Sequence, residues 1–392
     1  MKRIRYYIFL RDVALLALTG FGGPQVHLAR FITVFVKKRK YLTEAELMEL
    51  YSLCQILPGP TSTQTITSIG FKIGGANLAY LTLLIWILPA VLIMTATGIA
   101  VSYIDAKNMT LSFTRFIQPI AIGFIAYAAY VVNIKVIRTK IASILTVASI
   151  IISFFSHSPL LPPILLLLGG AATSFRYKEY PVEEKEKLKI KWGNFILWGA
   201  LFIGIASLGN ITHSLPILLL ENFYRNGSLV YGGGQVLVPL LYTEFVEFKH
   251  YLSSEEFLSG YAIAQVAPGP VFAFSSYIGV LSMRDYGVGG QLVGGLVSTI
   301  GIFLPGLLFC FFIIRFWSHF KKYRLVKASL EGITAVSSGL VIAAAITLFE
   351  PMPKDILNIT AMAITFVLLM LTKIPSPLIV LAGLLAGLLL PI

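Results

Sequence analysis

The sequence predicts an all-α polytopic membrane protein with an inverted-topology internal repeat and re-entrant broken helices, about nine or ten spans plus hairpins. Three observations predict this fold class. Of 392 residues, 57% are hydrophobic and only 12% are charged, about half the charge of a soluble domain. Long runs contain no Asp, Glu, Lys or Arg; the run 73–104 has 32 residues. The second half of the chain also repeats the first.

The spans are predicted wherever about 20 apolar residues can cross a hydrocarbon core of about 30 Å. The predicted spans are 76–103, 112–132, 141–157, 159–175, 194–213, 287–314, 329–349, 356–372 and 375–391. Residues 6–36 are ambiguous, because basic residues flank the segment at both ends. The break at Gly22-Gly23-Pro24 favours two short helices that enter and return, and a single kinked span is the alternative.

The charge distribution excludes several classes of protein. The net charge of +13 would indicate nucleic-acid binding in a soluble protein, but here the basic residues lie in short loops beside apolar runs, as the positive-inside rule requires. We therefore expect a lipid bilayer as partner and no nucleic acid.

Cys54 and Cys310 form no spacing motif for a disulfide framework or a metal site. There is no nucleotide-binding loop and no H-E-x-x-H motif, so no enzyme, metal or cofactor is predicted.

The repeat appears when the sequence is shifted by 210 residues. "FGGPQV" at 21–26 then lies over "YGGGQV" at 231–236, and the Pro-Gly-Pro at 58–60 lies over that at 268–270. Over residues 21–60 there are 15 identities without a gap. We predict a first repeat at 1–175, a charged loop and linking helix at 176–221, and a second repeat at 222–392.

The linking helix predicts that the second repeat is inverted, because one extra span reverses the orientation of every segment after it. Equivalent loops agree with this. The loop 36–48 carries four basic residues and two glutamates, whereas 246–258 carries one lysine and three glutamates. Opposite charge bias predicts opposite sides of the membrane, which is an arrangement found in many secondary transporters.

The first Pro-Gly-Pro predicts a re-entrant element. Residues 44–57 form the pattern of a short helix that begins after Thr43, with Glu46 as capping-box partner. Pro58-Gly59-Pro60 ends this helix, and a second short segment rich in Thr and Ser extends to about Gly74-Gly75. Neither piece can cross a bilayer alone, and broken helices are tolerated at that depth only inside protein or beside a cavity. Lys72 is expected to reach the surface.

The breaks also predict a binding site. A helix that starts after a break presents free N–H groups and the positive end of its dipole, which favours an anion. Neutral hydroxyl and amide donors would bind an anion without holding it permanently. The alternative is a packing kink in which Ser and Thr bond their own helix. The predicted substrate-binding residues are Gln55, Pro58, Gly59, Pro60, Thr61, Ser62, Thr63, Gln64, Gln265, Pro268, Gly269, Pro270, Ser275 and Ser276.

The glycine-rich elements are breaks of the same type, for which close helix packing is the alternative. They add Gly22, Gly23, Pro24, Gln25, His27, Gly232, Gly233, Gly234 and Gln235 to the predicted site. His27 has no counterpart, since Leu237 stands at the equivalent position. A histidine in such a break could titrate and couple transport to protons, and a structural role is the alternative.

"FGGPQVHLARF" with "PGP", and "YGGGQVLVPLL" with "QVAPGP", resemble the chromate ion transporter family over essentially the whole chain. The resemblance implies an inner-membrane secondary transporter that exports chromate, an oxyanion shaped like sulfate. It places the family motif on the glycine-rich elements, His27 and both Pro-Gly-Pro sequences. Family members often carry a small residue where this chain has Gln25. A transporter of another small solute, such as an organic acid or a cation, is the alternative function, and a homodimer is an oligomeric state left open.

Overall fold

The computed structural model describes residues 2–20, 23–106, 115–136, 139–155, 161–179, 192–230, 234–314, 323–350, 352–372 and 374–389. Every regular element within these ranges is helical, which confirms the predicted all-α class. The first half contains α1 (Lys2–Thr19), α2 (Gly23–Phe31), a π-helical turn (Ile32–Lys38), α3 (Glu44–Ile56), α4 (Thr61–Ala106), α5 (Ile117–Val136), α6 (Lys140–Phe155) and α7 (Leu161–Ser174), which continues as a 3₁₀ turn (Phe175–Glu179).

The linking helix is α8 (Gly193–Thr212). The second half contains α9 (Leu215–Leu229), α10 (Gly234–Tyr242), a π-helical turn (Thr243–Phe248), α11 (Ser254–Val266), a 3₁₀ turn (Val271–Ala273), α12 (Phe274–Ser282), a 3₁₀ turn (Arg284–Tyr286), α13 (Gly287–Ile313), α14 (Arg324–Phe349), α15 (Ile356–Leu371) and α16 (Ser376–Leu389). The predicted repeat boundary at 222 falls inside α9, and the division of the chain stays a prediction.

The repeat is visible in local detail. Both α3 and α11 begin with a capping box, formed by Thr43 with Glu46 and by Ser253 with Glu256, as the sequence predicts for Glu46. Each is preceded by a π-helical turn and by one non-glycine residue in the left-handed conformation, Lys40 or His250, both with φ of 53°. The same local sequence pattern therefore produces the same turns in both halves.

The N-terminal segment is a helical hairpin. The Arg39 guanidinium donates to both carboxylate oxygens of Asp12 at 2.6 and 3.0 Å. The rings of Phe9 and Phe35 lie 5.3 Å apart, and Arg5 lies over the ring of Tyr41. Residues 35–41 thus return alongside residues 5–12. This confirms the predicted hairpin and not the kinked single span.

Both Pro-Gly-Pro elements join the arms of re-entrant hairpins. Lys72 Nζ, near the end of the second arm, lies 2.5 Å from Glu46 Oε1 at the start of the first. Arg284 and Glu256 make the equivalent ion pair at 2.6 Å. The second arm of the first hairpin ends at Gly75, whose φ of 75° and ψ of −164° are not helical. The predicted break near Gly74-Gly75 is confirmed, and the rest of α4 is a separate long helix.

Among the described residues, four helical segments are long and apolar enough to cross a membrane, by length and composition: Thr61–Tyr103, Gly193–Thr212, Arg284–Ile313 and Ala328–Phe349. The other predicted spans fall on apolar helices of 10–17 described residues, shorter than the about 20 residues of a full crossing. The chain is a multi-pass membrane protein.

The two halves interlock through small residues. α14 packs against α6 and α7, where Thr146 donates to the Ala335 carbonyl at 3.0 Å and Gly169 lies against Gly332. α15 packs on α5, since a Cβ at Gly123 would meet Thr365 at 2.8 Å. Glycine permits such close approach between membrane helices. Helices α14 and α15 of the second half therefore cover α5, α6 and α7 of the first half.

Candidate functional site

The two Pro-Gly-Pro breaks have the same backbone geometry. Gly59 has φ of 113° and Gly269 has φ of 107°, a region that residues with a Cβ rarely adopt. The preceding helix ends in each case on an extended residue, Leu57 or Ala267. Proline on both sides of the glycine prevents the helix from continuing. The chain therefore turns abruptly at both sites and starts a new helical arm.

Each break docks on the opposite half. The Gly59 amide donates to the Val230 carbonyl at 2.8 Å, and the Gly269 amide donates to the Gly20 carbonyl at 2.9 Å. Gly20 and Val230 are 210 residues apart, and each stands directly before a glycine-rich element. The contact is thus reciprocal: the Pro-Gly-Pro of one half binds the segment that leads into the glycine-rich element of the other.

The same reciprocity holds at the long helices. A Cβ at Gly59 would lie 3.3 Å from Gly306 Cα in α13, and one at Gly269 would lie 3.0 Å from Ala90 Cβ in α4. Pro305 and Pro89 precede these two contact residues within their helices. Gly59 and Gly269 are both buried, and each packs at the point where one of the two long helices carries a proline.

The second arm of the first hairpin contains a dense group of buried polar side chains. Their exposed fractions are 7% or less, and they are Thr61, Ser62, Thr63, Gln64, Thr65, Thr67 and Ser68. The hydroxyls of Thr65 and Thr67 donate to carbonyls one turn earlier in their own helix, which is the packing role described for Ser and Thr. Among the described residues, the hydroxyls of Thr61 and Ser62 at the helix start have no hydrogen-bond partner.

Gln64 connects the first break to the second half. Its Nε2 donates to the Pro58 carbonyl at 2.6 Å and to the Gly306 carbonyl at 3.0 Å. Its Oε1 is buried and has no partner among the described residues. The two amide hydrogens are therefore used in holding the break, and the atom of Gln64 that remains available is an acceptor.

The second arm of the second hairpin is more apolar. It starts with the turn Val271–Ala273, and Phe272 packs on Phe303 of α13 at 6.2 Å between ring centroids. Ser275 is fully buried, and its Oγ has no hydrogen-bond partner in the part of the chain that the structure describes. Ser276 shares a hydrogen bond of 2.6 Å with Thr95 of α4. The two repeats therefore have the same backbone geometry at their breaks, but most of the hydroxyl groups lie in the first repeat.

His27 lies where the halves meet. Its Nε2 is 3.0 Å from the Gly20 carbonyl, the same oxygen that accepts from the Gly269 amide. The imidazole meets the indole of Trp86 edge-on at 5.0 Å, and Trp86 Nε1 donates to Thr63 Oγ1 at 3.2 Å. The ring is buried and its Nδ1 has no partner among the described residues. His27 thus touches the docking point of the second break and, through Trp86, contacts the second arm of the first hairpin.

The remaining predicted residues are placed less centrally. Gln55 is exposed and Gln265 is half-buried, and each lies beside a tyrosine, Tyr51 or Tyr261. Pro58, Pro60 and Pro270 are buried, and Pro268 is half-buried. Gly22, Gly232 and Gly233 lie outside the described residues. Gly23, Pro24, Gln25, Gly234 and Gln235 are described only as parts of the helical backbone of α2 and α10. Within the described ranges, no cluster of three or more His, Cys, Asp or Glu could hold a metal.

Comparison with known proteins identifies the family. The chromate transporter family model matches residues 8–175 and 217–388. The chain belongs to the chromate transporter family. It is 28% identical to a probable chromate transport protein of Synechococcus elongatus, over 99% of this chain and 95% of the relative. It is also 28% identical to a chromate transport protein of Cupriavidus metallidurans, over 95% and 90%.

A shorter relative corresponds to one half of this chromate transporter family member. An uncharacterized transporter of Bacillus subtilis is 28% identical over 45% of this chain and 98% of its own length. No solved structure matches the chain significantly. As a family member that spans the bilayer several times, the chain is a membrane transport protein.

Sequence reasoning missed the residues that receive the breaks in this transporter: Gly20, Val230, Trp86, Ala90 and Gly306. One feature of the sequence could have predicted Ala90 and Gly306. "ILPAVLIM" at 87–94 matches "FLPGLLFC" at 303–310, and the prolines in these segments mark the positions on α4 and α13 against which the breaks pack. The carbonyls of Gly20 and Val230 have no side-chain signature, because a backbone acceptor leaves no mark on residue choice.

Proposed function

We propose that this chain is a secondary transporter that moves a tetrahedral oxyanion across the cell (inner) membrane, with chromate efflux as its activity and the two breaks as its substrate site. The observation that carries the proposal is the reciprocal docking of each Pro-Gly-Pro on the opposite half. It supports a site made jointly by both repeats, which is the design expected of a transporter with inverted repeats. The names of the relatives support chromate as the solute.

The second arm of the first hairpin supplies the donors in this proposal. The start of α4 offers backbone N–H groups and the positive end of a helix dipole to a dianion. The hydroxyls of Thr61 and Ser62 are free to donate there. Because these donors are neutral, binding would be weak enough to allow release, whereas a buried lysine or arginine would hold the ion.

The reciprocal contacts also support alternating access. Gly59 is bonded to Val230, and Gly269 is bonded to Gly20, so a rotation of one half against the other changes both breaks at once. Such rocking of one repeat against the other is the usual way in which secondary transporters expose one site to two sides. His27 is placed to couple the movement to protonation, since it shares the Gly20 carbonyl with the second break.

The direct test is transport by the purified protein in proteoliposomes. We expect saturable uptake of labelled chromate that unlabelled chromate inhibits and that responds to a pH gradient or a membrane potential. Sulfate flux is measured in parallel, because it has the same shape and charge. Absence of saturable flux of both ions, with and without each gradient, contradicts the proposal.

Substitution of the free hydroxyls tests the position of the site. Thr61→Val and Ser62→Ala each remove a donor. Each is expected to raise the KM for chromate about 10- to 150-fold, since a hydrogen bond to a charged group contributes about 1.5 to 3 kcal/mol. Thr67→Val is the matched control, because the Thr67 hydroxyl bonds only its own helix. An equal change in KM for Thr67→Val and Thr61→Val would contradict a specific role of the helix start.

A cation or an acidic proton donor is the second candidate solute. The unpartnered acceptor Oε1 of Gln64 favours it, because an acceptor repels an anion and attracts a proton donor. A thermal-shift panel on detergent-purified protein separates the candidates. Stabilisation by chromate, sulfate or molybdate supports the oxyanion, and stabilisation only by cations or organic acids supports the alternative.

A further inference from the structure

The two cysteines of the chain meet in the folded protein. They are the only cysteines in the sequence, they stand in opposite halves, and both side chains are fully buried. Ser68 Oγ lies 3.0 Å from Cys310 Sγ and 3.9 Å from Cys54 Sγ. Both thiols belong to one cluster of buried side chains, with Leu53, Leu57 and Ile313. A chain of 392 residues has thus brought its two sulfur atoms together across 256 positions.

The elements around the thiols are those of the proposed transport site. Cys54 is on α3, Ser68 is on the second arm of the same hairpin, and Cys310 is on α13 of the other half. Cys54 stands four residues before Pro58, and Cys310 stands four residues after Gly306. Each thiol is therefore one helical turn from the contact between the first break and α13. Apolar side chains surround the pair.

We propose that Cys54 and Cys310 are a redox-active dithiol which a two-electron oxidant converts to a disulfide between the two halves of the protein. Two S–H bonds break and one S–S bond of about 2.05 Å forms, with release of two protons and two electrons. With diamide as oxidant, the N=N bond accepts both protons and both electrons and becomes a hydrazine. Diamide is small and neutral, so it can enter an apolar pocket. The Ser68 hydroxyl moves aside by rotation of its side chain.

The disulfide would join the first re-entrant hairpin to α13. This contact is one of the reciprocal contacts between the halves. The disulfide would add a covalent bond to a contact that otherwise consists of packing and the Gln64–Gly306 and Ser68–Cys310 hydrogen bonds. The chemistry of the thiol pair does not depend on which solute is transported. A failure of the transport proposal and a failure of this one are therefore separable.

The experiment uses the full chain with a site-specific protease sequence inserted between Glu184 and Lys185, in the charged segment that separates the halves. The protein in detergent is treated with diamide, free thiols are blocked with N-ethylmaleimide, and the chain is then cleaved. On a denaturing gel without reductant, most of the oxidised protein is expected to migrate as one linked species. Dithiothreitol is expected to separate it into two fragments.

Cys54→Ala and Cys310→Ala are the matched controls, and both are expected to give only separated fragments. Mass spectrometry of the linked species should identify one peptide pair, containing Cys54 and Cys310. Separated fragments from oxidised wild-type protein would overturn the proposal without reference to any variant. Linkage between two copies of the same fragment would also overturn it, because the bond would then be intermolecular.

Discussion

At the scale of single residues, the two breaks depend on Gly59 and Gly269. Their φ angles of 113° and 107° cost a residue with a Cβ about 1 to 2 kcal/mol. The space is also filled, because a Cβ at Gly59 would meet Gln64 Nε2 at 2.9 Å and Gly306 Cα at 3.3 Å. The second contact is with backbone, which cannot move aside. Conformation and packing therefore both require glycine at this position.

We predict that Gly59→Ala lowers the stability of the protein by about 2 kcal/mol or more, from conformation and packing together. Gly75→Ala is the informative comparison, since Gly75 also has a positive φ but has open space around it. It should show the conformational cost alone. Each variant is heated in detergent, and gel filtration then measures the fraction that remains folded. The difference in melting temperature between Gly59→Ala and Gly75→Ala gives the cost of packing. Gly199 is a helical site with open space around it. If Gly59→Ala is as stable as Gly199→Ala, the requirement for glycine at position 59 is wrong.

A second residue-scale prediction concerns pH. The Lys72 ammonium and the Thr43 amide hydrogen-bond to Glu46 and lower its pKa from 4.5 to about 2. A carboxyl group with a depressed pKa stabilises the fold above its unfolded pKa, and this contribution is lost as pH falls from about 4.5 to about 2. Lys72→Gln should therefore be less stable than wild type at pH 6, by a small amount because the pair is half exposed.

The stability difference between Lys72→Gln and wild type should shrink as the pH falls from about 4.5 towards about 2, since the unfolded chain then binds a proton at Glu46 that the folded wild type, with its lowered pKa, does not. Melting temperatures measured between pH 3 and pH 7 test this. A constant difference over that range would show that Lys72 stabilises the hairpin by packing and not by charge.

At the scale of elements, each re-entrant hairpin is defined by a capping box at its start, a Pro-Gly-Pro at its tip and an ion pair between its ends. The hairpins differ in what their tips touch. The first rests on Gly306 of α13 and the second on Ala90 of α4. A Cβ at Gly306 would meet Gln64 Nε2 at 2.8 Å and the Pro58 carbonyl oxygen at 2.9 Å, so the first contact leaves no room for a methyl group.

Gly306→Ala is predicted to reduce chromate flux at least tenfold while the protein still folds, because it displaces the first break from α13. Ala90→Gly is the reciprocal variant, since it removes the methyl group at the pseudo-equivalent position. It opens space and should change flux less than threefold. Proteoliposome transport at matched protein density measures both. A larger loss for Ala90→Gly would place the sensitive contact at the second break.

At the scale of the whole molecule, the repeats are interlocked and each contributes backbone to the breaks of the other. The half-length relative matches 45% of this chain over 98% of its own length. The linking helix α8 is well suited to join the halves, because it is apolar and only 6% of its most apolar stretch is buried within the protein. Lipid is the natural surrounding of such a helix.

The inverted arrangement predicts that the starts of the two re-entrant hairpins face opposite sides of the membrane. Glu44 and Glu255 are exposed residues at these starts. In a background with Cys54→Ala and Cys310→Ala, we expect Glu44→Cys and Glu255→Cys to react with a membrane-impermeant maleimide from opposite sides of oriented vesicles. Labelling after detergent has opened the vesicles measures the total amount of reactive cysteine in each variant. Reaction of both from the same side would contradict the inverted repeat.

The sequence alone determined the features that depend on local chemistry. Absence of charge over long runs predicted the membrane class, the shift by 210 residues predicted the repeat, and the capping residues Thr43 and Glu46 predicted where the first re-entrant helix begins. Pro-Gly-Pro marked the breaks because proline and glycine restrict the backbone in any context. These signals act within a few residues, so they can be read without knowledge of the fold.

Only the tertiary structure decided which groups the breaks contact. Gly59 with Val230, Gln64 with Gly306, and Cys54 with Cys310 are separated by 171, 242 and 256 positions. Such pairs depend on how the two halves pack, and a carbonyl acceptor constrains no side chain. The structure also showed that Gln64 holds the break with both amide hydrogens. Local backbone preferences therefore determined the shape of the hairpins, and packing between the halves determined their partners.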